Sequence, residues 1–306
     1  MNAIANRYEF VFLFDVENGN PNGDPDAGNM PRLDPDTSYG LVTDVCLKRK
    51  VRNYVALAKE EAPGYRIYMS DGGILNNTHA EAYEAIGEKP VAKKLPKEEA
   101  KARQVTRWMC DNFWDIRAFG AVMSTEVNAG QVRGPLQLTF SESLHPIVPM
   151  EHSITRSSVT NQKDADRQDS IRTMGRKYTV PYALYRCHGF VNARLANATR
   201  KLEDGEEIEI GTGLTEDDLE LFWQALLNMF DHDRSAARGE MTARGLIVFK
   251  HQNDLGSAPA RKLFDSVTVK RWEKDAEGTP PTAFEDYEIV FDEAALPDGI
   301  EAIRML

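Results

Sequence analysis

The run Tyr8-Glu9-Phe10-Val11-Phe12-Leu13-Phe14-Asp15-Val16 is almost wholly apolar and rich in aromatic and β-branched residues, which predicts a buried strand over 8–16. From 17 to 39 the pattern breaks: Gly, Pro, Asn and Asp crowd the segment, and it is expected to be neither helix nor ladder strand. A helical period returns over 40–60, with Leu47, Val51, Tyr54 and Ala58 as the apolar stripe and Lys48 and Arg52 one turn apart beside it. Pro63-Gly64 ends that helix. A mixed insertion follows, with a polar helical stretch near 97–119 whose Trp108, Trp114 and Phe119 suit a core better than a base-stacking platform.

Residues 136–144 alternate and predict a half-buried strand. Residues 145–181 have extended arms around the polar centre 161–169, the pattern of a long protruding hairpin with a poorly ordered tip. A second core strand is expected at 182–194. A helix is expected at 215–231, with Thr215 as N-cap, acids in its first turn and Leu219, Phe222, Trp223, Leu226, Leu227 and Phe230 behind. A strand should follow at 244–250, with weaker strand signals near 266–272 and 287–291. Without the insertions the order is strand, helix, strand, strand, helix, strand: an α+β chain of ferredoxin-like, RNA-recognition-motif topology.

The 306 residues are 42% hydrophobic and 28% charged, enough for a sizeable core. The net charge of -11 argues against a free-standing, non-specific coat for DNA, though not against one basic groove. The charges are segregated. Residues 151–200 carry nine basic and four acidic side chains, whereas Glu203 to Glu220 is almost purely acidic. Three cysteines without paired spacing give no disulfide framework, so a reducing cytoplasm is the default. The first residues lack the apolar core of a secretory signal, and no apolar run is long enough to span a membrane.

The chemistry-bearing segments are few. Asn18-x-Asn20-x-Asn22-Gly23 imitates the start of a calcium loop, but Asn29 stands where the closing Glu should be. The segment therefore reads as a turn or as a site for phosphate or ribose. The run Lys48-Arg49-Lys50-Val51-Arg52 has only Asp44 as an acidic neighbour at helical spacing, and so suits phosphate neutralisation. Arg117, Gln131 and Arg133 lie in or beside Gly-bearing segments. The hairpin carries Arg156, Arg172, Arg176 and Lys177, suited to wrapping a nucleic-acid strand or clasping a neighbouring subunit. The six histidines form no metal spacing. Asp15, Asp24, Asp26 and Asp34 could gather a divalent metal, but Asp-Pro and Asp-Gly pairs are ordinary turn chemistry.

Asp15-Val16-Glu17-Asn18-Gly19-Asn20-Pro21-Asn22-Gly23-Asp24-Pro25 followed by the helix Leu41 to Arg52 resembles the Cascade backbone subunit of type I-C CRISPR systems, the Cas-seven (Csd-two) family of the RAMP superfamily. Asp115 to Gly120, Gly130 to Pro135 and Tyr182-Ala183-Leu184-Tyr185 are similar to it too. The resemblance implies one hand-shaped domain: a palm of 1–60, 136–144 and 182–306, a finger and web insertion of 61–135, and a thumb hairpin of 145–181. It implies a non-catalytic protein without cofactor or metal that stacks head to tail along a CRISPR RNA and leaves the guide open to pair with a target DNA strand. Cas-five and Cas-eight family subunits would be its partners.

On that reading Asn20, Asn22, Lys48, Arg49 and Arg52 are the first RNA contacts, with Arg117, Gln131 and Arg133 second. Arg156, Arg172, Met174 and Lys177 belong to the thumb, with Met174 as a nucleotide wedge. The alternative is a metal-dependent RNA endonuclease using Asp24, Asp26 or Asp34, as in some type III relatives. A self-assembling structural protein without nucleic acid is the third reading.

Overall fold

The first apolar run becomes the central strand of the molecule because both of its faces find apolar partners. The computed structural model describes residues 3–60, 62–165, 174–201, 207–272 and 280–306. Strand β1 (Tyr8–Gly19), strand β2 (Tyr39–Val42) and helix α1 (Asp44–Lys59) open the chain. Helices α2 (Leu75–Ala85), α3 (Glu99–Asn112) and α4 (Trp114–Phe119) follow, then strands β3 (Gly120–Ser124) and β4 (Asn128–Arg133). Strands β5 (Leu136–Leu138), β6 (Ser141–Pro146) and β7 (Met150–Thr155) lead to the long β8 (Met174–Val191). Helix α5 (Glu216–His232), strand β9 (Glu240–His251) and helix α6 (Ala260–Asp265) precede strands β10 (Val267–Arg271), β11 (Tyr287–Phe291) and β12 (Ile300–Arg304).

The main sheet runs β12-β9-β1-β8-β6-β2, with β5 and β7 also pairing with β8, and every pairing is antiparallel. Helices α1 and α5 cover one face. There Phe10, Phe12, Phe14, Leu47, Val51, Phe222, Leu226 and Phe230 are buried together. The other face is covered by the chain itself: Val11, Leu13, Leu184, Ile247 and Phe249 pack on Leu263, Val267 and Tyr287. A separate core built on Tyr68, Tyr83, Val105, Met109, Phe113, Ile116 and Met123 holds the insertion together.

Several sequence expectations are corrected. The first strand runs on to Gly19, which pairs with Val180, because Gly19 lets the chain press against the Arg238 carbonyl where a Cβ would collide. The loop after it is not free of regular structure. Gly23–Asp24 pairs with Met30–Pro31, and Pro25–Ala27 form a 3-10 turn closed by Gly28 at φ 63. The helix starts at Asp44 rather than 40, since Tyr39–Val42 pair with β6 and Thr43 caps by accepting from the Cys46 amide. Its buried stripe is Leu47, Val51 and Val55, while Ala58 is exposed. The stretch 97–119 is two helices, broken where Phe113 takes an extended backbone (φ -118, ψ 110). Trp114 and Phe119 lie in the core, as expected.

The second arm of the hairpin and the expected core strand 182–194 are one strand, β8. The hairpin arms themselves pair as expected, Met174 opposite Thr155 through Thr179 opposite Met150. Residues 166–173, which include 166–169 of the expected poorly ordered tip, lie outside the described residues. Thr215 caps α5 in a reciprocal box with Asp218.

Candidate nucleic-acid interface

A cleft of about 400 Å³ lies where the loop after β1 meets the base of the β7–β8 hairpin. Its walls are Asn20 to Gly23, Gly28 and Asn29 on one side, Arg176, Lys177 and Tyr178 on another, and Ser235, Ala237 and Arg238 on a third. Cys46, from the first turn of α1, also lines it. Burial pushes its thiol pKa up. The loop is rigid by its own hydrogen bonds. Asn20 Nδ2 donates to the Asn29 carbonyl at 2.7 Å, and Asn22 Oδ1 accepts from both the amide and hydroxyl of Thr43 at 3.0 Å. Asn22 thereby ties the loop to the N-cap of α1. Asn20 Oδ1 is buried and has no hydrogen-bond partner among the described residues.

Two of the cleft's cations come from the hairpin. Arg176 Nε lies 3.2 Å from Glu151 and remains largely exposed. Lys177 is half-buried and has no ion-pair partner among the described residues. The cleft thus brings together Asn20, Asn22 and Lys177 from distant parts of the chain.

The basic run of α1 does not form one face. At about 100° per residue, four successive positions point in different directions. Arg49 stands on the exposed side, 62% accessible, with a loose contact to Asp71 at 3.7 Å. Lys50 turns into the core and pairs with Asp233. Lys48 and Arg52 face the insertion. Lys48 pairs with Asp44 at 2.9 Å, Arg52 pairs with buried Asp115 at 2.7 Å, and both cations lie over the Phe119 ring.

Arg117 is buried. Its guanidinium forks onto Asp218 and gives Nη1 to the carbonyls of Gly64 and Cys110. Asp115 accepts from Arg52 and from the amides of Tyr68 and Met69. The segment Asp115-Ile116-Arg117 therefore rivets the insertion to the main body. Gln131 and Arg133 are exposed on β4 and line a different cleft of about 450 Å³ with Arg103, Arg107 and Thr212. Arg156 donates to the Ser158 carbonyl and the Thr160 hydroxyl. Met174 is 69% exposed at the far end of β8, and Arg172 lies outside the described residues.

The loop aspartates have turn and pairing roles. Asp24 accepts from the Asp26 amide and pairs with Arg32 at 3.3 Å. Asp34 accepts from the Asp36 amide at 2.9 Å, and that bond holds its pKa below the usual carboxylate value. Asp15 is buried between Arg244 and Tyr182, and burial pushes its pKa up. Among the described residues no group of three or more His, Cys, Asp or Glu side chains is placed to hold a metal ion. Nor is any helix among them long and apolar enough to cross a membrane.

Sequence reasoning missed Arg238. It follows a helix end, with no local motif around it, and reaches the cleft only through the turn after α5.

Residues 6–292 match the family model of CRISPR-associated protein Cas7. The CRISPR-associated protein Cas7 of Haloferax volcanii is 27% identical over 243 residues, which is 74% of this chain. The chain spans 66% of that relative's length. In a solved CRISPR RNA-guided surveillance complex, described as pre-nicking, one chain superposes with a TM-score of 0.51 at 13% identity, over 84% of this chain and 81% of that one. This last likeness shows a shared fold.

Proposed function

The chain belongs to the Cas7 family of CRISPR-associated proteins, and from that premise we propose that it is a non-catalytic backbone subunit of a type I-C Cascade complex. It would stack head to tail along a CRISPR RNA in the cytoplasm and present the guide for pairing with a target DNA strand. Cas-five and Cas-eight family subunits would complete the particle. The protein would read the backbone and shape of the guide, and base pairing would read the sequence.

The observation that carries this reading is the cleft joining the Asn20–Asn29 loop to Arg176 and Lys177 at the base of the hairpin. Rigid amide donors and point cations on converging walls suit an RNA backbone. The halves β1–α1–β5/β6 and β8–α5–β9 interleave in one antiparallel sheet, which supports reading the main body as a ferredoxin-like palm. RNA-recognition motifs stack bases on their open sheet face. Here that face is covered by side chains of 258–269 and 284–291, so the RNA belongs at the rim. The β7 strand is exposed throughout, and Met150, Ile154 and Met174 present apolar surface on the hairpin, which supports a thumb that meets RNA or a neighbouring copy. Within this reading Arg49 is the member of the α1 run free to meet phosphate. Lys48 and Arg52 support the junction beneath it, and Gln131 and Arg133 serve a second surface on the fingers.

The test is the nucleic acid that copurifies when the protein is expressed with a CRISPR array and its companion subunits. Intact RNA of uniform length containing spacer sequence, stable in magnesium, is the expected result. RNA that is trimmed in magnesium by the wild type but not by Asp24→Ala or Asp34→Ala would favour the endonuclease reading. Absence of RNA would favour a purely structural assembly.

A further inference from the structure

Asp233 is the C-cap of helix α5, and the turn that follows returns to the end of β1. Asp233 is almost fully buried and accepts from two cations at once. Lys50 of α1, itself out of solvent, pairs with Oδ2, and Arg238 Nη1 donates to Oδ1 at 2.6 Å. The same Arg238 nitrogen reaches the Asp233 carbonyl at 3.4 Å. Two positive charges thus share one carboxylate, leaving a surplus of one positive charge at the edge of the cleft.

The turn is also the wall against which the loop is built. The Asn20 amide donates to the Ala237 carbonyl at 2.8 Å. Gly19 lies against the Arg238 carbonyl, and Gly239, at φ 63, lies against the carbonyls of Glu17 and Asn18, so neither glycine has room for a Cβ. The backbone of Arg238 is therefore held rigidly beside Asn20 and Asn22. Its side chain is one-third exposed and lines the cleft with Lys177. Among the described residues, Nη1 alone is committed. A guanidinium carries five donors, so Nε and Nη2 remain for an anion in the cleft.

We propose that Arg238 is an RNA-phosphate contact of this cleft and that Asp233 is the positioning residue that aims it. The proposal rests on the reading of the cleft as an RNA site. Lys50 supplies the reason for a buried Asp233: the carboxylate neutralises the buried ammonium and keeps a second acceptor oxygen for Arg238. A phosphate held by Arg238 would then sit between the loop amides and Lys177, with its backbone path set by the hairpin base.

The experiment measures binding of a fluorescein-labelled single-stranded RNA to the full chain across a salt series, with thermal melting alongside. Arg238→Ala should weaken binding about tenfold at moderate salt. It should also flatten the log–log salt slope by about 0.7, the loss of one phosphate contact on a single strand. Lys50→Met with Asp233→Leu removes the buried ion pair from both sides together with the side-chain oxygen that accepts from Arg238. If Asp233 aims Arg238, this double variant melts near the wild type but still binds RNA several-fold more weakly. If Asp233 only neutralises Lys50, the double variant recovers both melting and affinity, and its positioning role is overturned. Wild-type binding with an unchanged slope in Arg238→Ala overturns the contact while leaving the RNA cleft standing. Failure of the wild type to bind the probe even at low salt overturns the cleft reading itself.

Discussion

Arg117 and Asp218 meet fork to fork, with Nε to Oδ2 and Nη2 to Oδ1 both at 2.8 Å and both side chains almost wholly buried. Asp218 also accepts from the amide and hydroxyl of Thr215, so the helix cap and the ion pair share one carboxylate. Arg117 comes from the insertion and Asp218 from α5, so this pair and Arg52–Asp115 fasten the insertion to the main body. Arg117→Ala leaves a buried carboxylate without its main partner. It should cost about 3–5 kcal/mol in urea unfolding. A loss below about 1 kcal/mol would refute the rivet.

The divided basic run makes a second prediction. Arg49 is exposed and loosely paired, so Arg49→Ala should change stability by less than about 0.5 kcal/mol. It should still lower RNA affinity and reduce its salt dependence. Arg52→Ala removes a charged hydrogen bond from buried Asp115 and should cost about 1.5–3 kcal/mol. Equal effects of the two variants on stability would contradict the division of roles.

Met174 supports little of the fold, being exposed at the end of β8. Met174→Ala should leave the melting temperature unchanged. If the hairpin of each stacked copy wedges one nucleotide of the guide, the same variant should erase the periodic reactivity seen on chemical probing of the bound guide. A probing pattern identical to wild type would remove Met174 from that role.

Stability should depend on pH through two half-buried histidines. Burial, reinforced by the Arg271 charge, lowers His145 from 6.5 to about 4. Burial, reinforced by Arg186, lowers His188 from 6.5 to about 4. Between those values the unfolded chain binds the proton and the folded chain does not. Stability is then fully present above pH 6.5 and is lost as pH falls toward 4. His188 stacks flat on Phe264 at 4.0 Å, so His188→Phe keeps a ring there and removes the titration. Its melting temperature should fall less steeply than the wild type's over that pH window. An unchanged slope would rule out His188 as a contributor.

The sequence by itself determined the elements whose signal is local. The aromatic run of β1, Leu47 and Val51 of α1, and the Thr215 cap with its acidic first turn each bury or satisfy groups within a few residues. Periodicity and capping chemistry report such groups directly. Asn20, Asn22 and Lys177 stood out by local Asn/Gly/Pro density and charge, and the fold brings them to one cleft. Tertiary structure alone decided which charges are available. Lys50, Arg52 and Arg117 look like free cations in the sequence, yet each is taken by an aspartate 63 to 183 positions away. The same long-range packing brought Arg238 into the cleft and closed the second face of the sheet with side chains of 258–269 and 284–291. A buried charge must find its counter-charge wherever the fold places one, and no spacing rule along the chain records that search.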